Sequence, residues 1–223
     1  MSGNSFIRTF ESYFVNLSED YHVHSTYNDH SASDLTIENV VKQAENLNLV
    51  TIAFTEHVRT TSSWIKEYLQ EIDAISKNTA IKIIAGFEAK ILADGSIDCP
   101  DFCAKNYFIV ASFHTLYHKK DIWLNALHKV IKNPYVDVIG HLAPEPTFQI
   151  EAQEIEELGA LMSKYGKVVE INAKYHRPAV NWINTFVQQE VRMHLGSDAH
   201  RLNEVGRFSN VMDLVSLVKE RRI

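Results

Sequence analysis

Cysteine is scarce in this 223-residue sequence, which contains only Cys99 and Cys103. A structural zinc site needs four ligands, and no second cysteine pair is available to complete one. The spacing CPDFC therefore fits either two free thiols in a loop or half of a metal site. We favour free thiols, because a chain this poor in cysteine lacks the disulfide framework typical of small secreted proteins.

Long hydrophobic runs are also missing. No apolar stretch approaches the ~20 residues that a membrane-spanning helix requires. The first residues, MSGNSFIRTFESYF, lack the basic start, apolar block and small-residue cleavage site of a secretory signal. We therefore expect no membrane partner and a cytoplasmic location.

An excess of basic charge is absent as well. Lys and Arg number 22 against 28 Asp and Glu, which gives a formal net charge of −6. Proteins that grip a nucleic-acid backbone usually carry a basic face, so no extended nucleic-acid groove is expected. If some of these carboxylates bind divalent cations, the loaded protein is less negative than this count suggests.

Short apolar, β-branched segments alternate with amphipathic helical patterns along the chain. Strands are predicted at residues 20–24, 50–57, 81–90, 107–114, 136–142, 167–173 and 191–200. Helices are predicted at residues 35–48, 62–78, 120–133, 153–166 and 208–222. Continuous apolar strands are typical of a sheet covered on both faces. Seven of them alternating with helices predict a parallel α/β fold, either a barrel or an open sheet.

Several local features refine this pattern. Ser33 or Asp34 is expected to cap the first helix, and Asn133 and Gly166 lie where helix C-caps are expected. Residues 93–105 leave little room for a full helix, so we predict a loop with at most one short helix. Residues 1–17 are predicted to form a helical extension that precedes the alternating pattern.

Histidine, in contrast, is frequent, with eleven residues. Every predicted strand except the sixth, which ends in Asn172, ends in a side chain that can bind a metal. These strand-end residues are His22, His24, His57, Glu88, His114, His141, Asp198 and His200. In parallel barrels, functional groups collect at the carboxyl ends of the strands. The positions therefore predict one metal-binding rim.

The spacing within the first and last strands supports this interpretation. Alternate side chains of a strand share a face, so the imidazoles of His22 and His24 point into the same space. Asp198 and His200 have the same spacing. Zinc, manganese and iron all accept mixed nitrogen and oxygen ligands, so these residue types do not identify the metal.

Taken together, these segments resemble the PHP (polymerase and histidinol phosphatase) superfamily along almost the whole chain. The matching motifs are DYHVHSTYNDHS, FTEH, GFEAK, SFH, GHL and GSDAH. The resemblance implies a single domain over residues 1–223 that forms a distorted seven-stranded (β/α) barrel similar to a TIM barrel. It also implies a site for two or three divalent metal ions, which would be zinc, manganese or iron.

The resemblance assigns nine metal ligands, position by position. The first set is His22, His24, Glu88 and Asp198. The second set is Glu88, as a bridging carboxylate, with His114 and His141. The third set is His30, His57 and His200. One departure from the family pattern is Glu56, because the family often has Asp beside this histidine.

The implied activity is hydrolysis of a phosphate monoester of a small metabolite, similar to histidinol phosphate. Closely spaced divalent ions can supply hydroxide at neutral pH and stabilise charge on phosphoryl oxygens. We therefore expect attack by a metal-bound hydroxide without a covalent phospho-enzyme, with Glu88, Asp198 and His200 as the ligands that activate water. The enzyme would be a metal-dependent phosphatase with a small phosphorylated substrate.

Cationic side chains near the same rim are candidates for phosphate contact. Lys174 and Arg177 follow the sixth strand, and Arg59 follows His57. Arginine suits bidentate contact with phosphate, although each of these charges also fits a solvated surface. His176 is a further candidate for substrate contact. Outside the rim, we expect structural roles for His118, His128 and His194 and packing roles for Trp64, Trp123 and Trp182.

Two alternative functions stay open. The same metal chemistry cleaves diesters, so a phosphodiesterase or exonuclease acting on nucleotides or short oligonucleotides is possible. A non-catalytic, metal-stabilised interaction domain is the other, although the complete ligand set argues against it. The sequence identifies neither the substrate nor the oligomeric state.

Overall fold

The computed structural model describes residues 15–144 and 147–220 of the chain. The predicted extension at residues 1–17 lies almost wholly outside this part. The described strands are β1 (Glu19–Val23), β2 (Thr51–Val58), β3 (Lys82–Ile91), β4 (Ile97–Asp98), β5 (Phe108–Ser112), β6 (Val138–Ile139), β7 (Val168–Asn172) and β8 (Arg192–Gly196). The α-helices are α1 (Ile37–Asn46), α2 (Ile65–Ser76), α3 (Asp101–Asn106), α4 (Lys120–Lys132), α5 (Ala152–Lys164), α6 (Val180–Gln188) and α7 (Met212–Glu220).

The strands form one sheet in the order β1-β2-β3-β5-β6-β7-β8, in which neighbouring strands run parallel. The two end strands meet just beyond their carboxyl ends. There, Val23 pairs with Ala199, the His24 N–H donates to the Ala199 carbonyl at 3.1 Å, and the Asp198 N–H donates to the His22 carbonyl at 2.7 Å. This contact closes the sheet into a nearly complete barrel. Of the two predicted arrangements, the barrel is therefore correct.

Helix α1 illustrates how the sequence sets the outer layer. It buries Ile37, Val40, Val41 and Ala44, the i, i+3, i+4, i+7 pattern of a helix with one apolar face. Its N-cap is Thr36, whose hydroxyl accepts the Asn39 N–H at 3.2 Å. The prediction of Ser33 or Asp34 as the cap was wrong, because Thr36 is the last residue with extended backbone before the helix.

Most of the hydrophobic core lies between the sheet and the helices, where Trp123 and Trp182 are buried and Trp64 packs against it. A second, small cluster of Val110, Val138 and Val168 is separate from it. These valines are register partners on β5, β6 and β7. Residue 170 lies two positions beyond Val168, so Glu170 shares its face of β7 and follows this apolar layer toward the carboxyl ends of the strands.

The segment at residues 93–105 contains more structure than predicted. The expected short helix is α3, but β4 also folds back antiparallel onto the end of β3. A turn at Gly95, with φ of +82°, permits this reversal. The surrounding segment ADGSID is polar and contains no apolar run, so the sequence carried no signal for β4. Cys99 and Cys103 are buried free thiols, as predicted.

Helix ends agree with two further predictions. Asn133 is the C-cap of α4, and Gly166 follows the C-cap of α5 with φ of +63°. Among the described residues, no helix is both long and apolar enough to cross a membrane. The cytoplasmic location stays a prediction.

Candidate metal centre

The carboxyl ends of the parallel strands converge on Glu88, near the end of β3, whose last residue is Ile91. Its side chain is 1% exposed, and its two oxygens face different histidines. Oε1 lies 3.1 Å from Nε2 of His114 and 3.0 Å from Nε2 of His141. Oε2 lies 2.8 Å from Nδ1 of His57. One buried carboxylate therefore contacts imidazoles from three separate strand ends.

A second group lies beside Oε2 of Glu88. His22 and His24, on adjacent inward positions at the end of β1, have their Nε2 atoms 3.1 Å apart. These atoms are 3.6 and 3.7 Å from Oε2 of Glu88. Oδ1 of Asp198, just after β8, lies 3.4 Å from Nε2 of His24. The closure of the barrel brings this aspartate to the first strand.

The outer part of the cluster contains His200 and His30. Nδ1 of His200 is 3.4 Å from Oδ1 of Asp198, and its ring centroid is 4.2 Å from that of His24. The His30 ring lies 5.2 Å from the His57 ring and 5.9 Å from the His200 ring. His30 is 61% exposed and pairs with its neighbour Asp29. It is the most loosely placed of the nine predicted ligands.

Three groups of described residues have ligand atoms within 4.8 Å of one another. They are His22, His24 and Asp198; His57, Glu88 and His114; and His24, His57 and His200. The first two overlap with the first and second predicted sets. The third group contains His57 and His200 of the third predicted set together with His24 of the first set. His57 also contacts Glu88, which belongs to the first and second predicted sets. The nine residues thus form one continuous cluster with shared members.

The donor atoms in this cluster fit a cation. Nδ1 of His22 is 2.7 Å from Glu170, and Nδ1 of His24 is 3.3 Å from Glu56. If each Nδ1–H donates to its carboxylate, each Nε2 carries a lone pair, and the two lone pairs face the same space. Oε2 of Glu88 is buried and receives no hydrogen bond of good geometry, although Nδ1 of His57 lies 2.8 Å away. Several acceptors without protons in one space are what a metal ion satisfies.

The electrostatics agree with this fit. Burial lowers the pKa of His22, but the carboxylates of Glu170, Glu88 and Asp198 outweigh it and raise the pKa well above its usual value. Burial likewise lowers the pKa of His24, and Asp198 and Glu56 raise it to about 9. In Glu88, burial raises the pKa, but His114 and His22 lower it well below its usual value. The carboxylates therefore favour positive charge in this space, which protons on His22 and His24 supply unless a metal ion displaces them and takes up the Nε2 lone pairs.

Glu170 is a site residue that the sequence analysis missed. Its carboxylate is fully buried; Oε1 contacts His22, and Oε2 accepts the His141 backbone N–H at 2.6 Å. A Cβ at Gly196 would collide with Oε1, and a Cβ at Gly140 would come within 3.3 Å of Oε2. The two glycines make room for the carboxylate. The available signal was one acidic residue within the apolar strand VVEIN.

Glu56 also supports the cluster, although it appeared only as a departure from the family motif. Besides His24, it accepts the Ser25 N–H and hydroxyl at 2.9 and 2.6 Å, and the Asn28 side chain at 2.6 Å. It accepts the His57 N–H at 2.9 Å as well. Burial raises its pKa, but these donors and His24 lower it to about 2. An ionised Glu56 orients one histidine and ties the loop after β1 to β2.

The candidate phosphate-binding residues have different positions. Nζ of Lys174 lies 3.2 Å from Oδ1 of Asp198 and 2.9 Å from Nδ1 of His200, within the cluster. The His176 imidazole instead lies 3.0 Å from the Asp213 carboxylate on α7. The backbone of Arg177 pairs with Asn172, at the end of β7.

Arg59 lies on the exposed loop after β2, where its guanidinium is 3.8 Å from Asp98. The structure therefore brings only Lys174 of the four candidates into contact with predicted ligands. Asn172, the strand end without an expected ligand, donates its amide to Oδ2 of Asp198 at 3.2 Å.

The three histidines expected to lie outside the rim do so, and His176 is a fourth histidine outside the cluster. His194 is buried and stacks on Tyr21 with ring centroids 4.6 Å apart. His128 is half-buried on α4, and His118 is exposed in the loop before that helix.

Comparison with known proteins agrees with this geometry. The PHP domain family matches residues 20–174. A protein named a probable phosphatase from Caldanaerobacter subterraneus is 31% identical over 212 residues, covering 88% of this chain and 81% of that protein. The Bacillus subtilis DNA polymerase/3'-5' exonuclease PolX is 25% identical over 201 residues, covering 82% of this chain and 34% of that protein.

The fold also matches a solved structure. Histidinol phosphate phosphatase from Lactococcus lactis, complexed with zinc, L-histidinol and phosphate, superimposes with a TM-score of 0.69 at 20% identity. The alignment covers 91% of this chain and 93% of that protein. With the family match and the phosphatase relatives, the chain belongs to the PHP domain family, in a group of proteins named as phosphatases.

Proposed function

We propose that this protein hydrolyses the phosphate monoester of a small metabolite, in the manner of a histidinol-phosphate phosphatase, with up to three metal ions held by the nine clustered residues. The single observation that carries the proposal is the environment of Glu88. This buried carboxylate lies within 3.1 Å of imidazole nitrogens at three strand ends, and one of its oxygens receives no hydrogen bond of good geometry. Membership of the PHP family and the phosphatase relatives support the reaction class.

Glu88 is suited to bridge two ions, because its oxygens face opposite groups of histidines. Oε2 faces His22, His24 and His57, and Oε1 faces His114 and His141. His200 and His30, on the outer side near His57, would complete the third set. Adjacent divalent ions, when bound, lower the pKa of a water toward neutrality and offset charge on phosphoryl oxygens.

The chain's own residues have distinct tasks in this proposal. Burial lowers the pKa of His200, with a further contribution from the nearby His24, so its imidazole is neutral at pH 7 and can act as a ligand. Lys174 provides a cation beside Asp198, where it can contact a phosphoryl oxygen of the substrate. Glu170 and Glu56 hold His22 and His24 with their Nε2 atoms directed into the cluster.

A second candidate function is phosphodiester hydrolysis. One relative that spans 82% of this chain is named as an exonuclease, so related domains occur in proteins that act on diesters. The net charge of −6 disfavours a long nucleic-acid groove but permits a nucleotide or a short oligonucleotide.

Steady-state turnover of an aryl phosphate and a bis-aryl phosphodiester tests these functions. The chelator-stripped protein should be inactive, and Mn²⁺ or Zn²⁺ should restore turnover of the monoester in preference to the diester. Preference for the diester would favour the second function. Turnover of neither ester, nor of a panel of phosphorylated metabolites, by the metal-loaded protein would favour a binding domain.

Glu88→Gln tests the site within the same assay. It should lower bound metal and turnover together, because one carboxylate would be lost from two ion sites. Glu156→Gln, on the exposed face of α5, is the matched control. Normal metal content and rate in Glu88→Gln would contradict the bridging role.

A further inference from the structure

The turn after β7 holds its side chains in place before any ligand arrives. Asn172 and Arg177 pair through two backbone hydrogen bonds of 2.9 and 3.2 Å. The Asn172 side chain accepts the Tyr175 N–H at 2.9 Å, and His176 is bound to Asp213 of α7. These contacts fix the turn at its base, at its centre and on its outer side. The backbone that carries Tyr175 at the tip of the turn is therefore ordered before a ligand binds, which lowers the entropic cost of binding.

That ring belongs to Tyr175, which stands over the metal cluster. Its centroid lies 5.4 Å from the His141 ring at an interplanar angle of 64°, an edge-on contact. Nζ of Lys174 lies 5.2 Å from the same centroid. Tyr175 thus contacts a predicted ligand on one side and the candidate phosphate-binding cation on the other.

Core packing does not account for this side chain. Tyr175 is 52% exposed, and it is not part of the hydrophobic core or of the partly buried shell around it. Burial of an aromatic ring is among the larger contributions to protein stability, so a ring left half in solvent beside the metal cluster is available to a ligand.

A second exposed apolar side chain lies on the same arc of the rim. Leu116, 65% exposed, is in the loop after β5, and Tyr175 is in the loop after β7. Strand β6 lies between these strands, and His141 follows it. The loops that carry Leu116 and Tyr175 therefore flank the strand end of His141.

We propose that Tyr175 is a specificity-determining residue that packs against a planar, apolar part of the leaving group. The preferred substrates are phosphate monoesters whose alcohol carries an aromatic or heteroaromatic ring. This inference rests on the proposed function, since it concerns the substrate of the same site. The ring of Tyr175 receives the ring of the substrate, and Lys174 and the metal cluster receive its phosphate.

A cleft of about 620 Å³ offers the competing location for the leaving group. It lies between the loops after β1 and β8, on the side of His30, and its lining combines polar side chains such as Asp34 and Asn203 with the apolar Ala32 and Leu202. Its size is in the range of small-molecule sites, but apart from His30 the described residues of its lining offer no ring against which a planar group could pack. A leaving group bound there would not contact Tyr175.

Two alkyl phosphates separate these locations. 2-Phenylethyl phosphate and ethyl phosphate have leaving alcohols of similar acidity, so they differ chiefly in the ring. Tyr175→Ala should lower kcat/KM for the phenylethyl ester about tenfold, mainly through KM, and leave that of ethyl phosphate within about twofold. Tyr175→Phe should retain the preference, and Asn203→Ala should match the unaltered protein with both esters.

Other outcomes would overturn the inference. Equal losses with both esters, with reduced metal content, would make Tyr175 a support for His141. An unchanged ring preference in Tyr175→Ala, with a loss in Asn203→Ala, would place the leaving group in the cleft beside His30. Absence of any ring preference in the unaltered protein would also contradict it.

Calorimetry with 2-phenylethylphosphonate separates this inference from the proposed function, because the phosphonate binds without turnover. The metal-loaded protein should bind it about tenfold more tightly than Tyr175→Ala does. Tighter binding by the unaltered protein, together with no hydrolysis of any ester, would contradict the proposed function but support ring binding by Tyr175. Hydrolysis of the esters, together with equal phosphonate affinities of the two proteins, would support the proposed function but contradict ring binding by Tyr175.

Discussion

Glu170 and His22 form a fully buried pair in which Oε1 of the carboxylate lies 2.7 Å from Nδ1 of the imidazole. A carboxylate that accepts the second ring proton of a metal-binding histidine fixes its tautomer and orientation. Glu170→Gln keeps the shape but removes the charge, so we expect zinc affinity to fall about 10- to 100-fold. Competition with a chromophoric chelator measures this change.

The control for Glu170→Gln is Glu156→Gln, which is exposed on α5 and should keep normal affinity. Thermal unfolding of both chelator-stripped variants separates a loss of metal affinity from a loss of the fold. Unchanged zinc affinity in a folded Glu170→Gln variant would remove the orienting role.

Gly196→Ala should disturb the same pair by steric conflict. A Cβ at this position would meet Oε1 of Glu170 and lie 2.7 Å from Cβ of His22. Both neighbours are buried and cannot move freely, so we expect about 1–3 kcal/mol of destabilisation together with weaker zinc binding. Urea unfolding and the chelator competition measure the two effects.

Gly159→Ala is the matched control, because Gly159 lies within α5 and its nearest neighbours are side-chain atoms at 3.1 Å or more. Helix propensity there favours alanine by up to ~1 kcal/mol, which offsets the tighter contact. If both variants unfold at the same urea concentration as the unaltered protein, the space around Glu170 is not constrained as described.

Lys174→Met separates substrate binding from metal binding. If Lys174 contacts the phosphoryl group, kcat/KM should fall about 10- to 100-fold, the value of one hydrogen bond to a charged group, and metal content should not fall. Lys66→Met, exposed on α2, controls for the loss of one positive charge. Full activity with tighter metal binding would mean that Lys174 only competes with a cation for Asp198 and His200.

His194→Phe should change how stability depends on pH. Burial lowers the pKa of His194 to about 3, whereas an unfolded histidine titrates near ~6.5. Between these values the unfolded chain binds a proton that the folded chain does not, so stability falls as pH decreases from ~6.5 toward ~3, by up to ~1.4 kcal/mol per unit. Phenylalanine cannot bind this proton in the unfolded chain, and its ring can keep the stacking on Tyr21.

Urea unfolding of chelator-stripped protein at pH 7 and pH 5 measures the effect of His194→Phe. The unaltered protein should lose ~1–2 kcal/mol more stability than the variant over this interval. Equal losses in both proteins would show that His194 is accessible to protons in the folded state.

Periodicity alone predicted most of the fold. The seven parallel strands were found from short apolar or β-branched segments, and α1 and α5 were found because their apolar residues recur at helical spacing. Strand β4 was missed because Ile97 and Asp98 lie in a polar segment without an apolar run. The residue pattern did not distinguish a barrel from an open sheet, since both contain the same strands. The family resemblance favoured the barrel.

In the candidate site, residues at strand ends could be predicted from the sequence, whereas residues inside a strand could not. Histidines at strand ends were found because the rim of a parallel sheet is a recognised place for ligands. Glu170 was missed because it lies inside β7 and meets His22 148 residues away. Lys174 and His176 are near neighbours in sequence, yet one contacts Asp198 and the other Asp213.

The sequence by itself determined which chemical groups reach the rim, because strand periodicity and strand ends are local properties of the chain. Only the tertiary structure decided which atoms share a space. Closure of β8 against β1 brings Asp198 to His24, and burial of Glu170 among two glycines directs His22 toward Glu88. Such contacts depend on the curvature and closure of the sheet, which no short segment encodes.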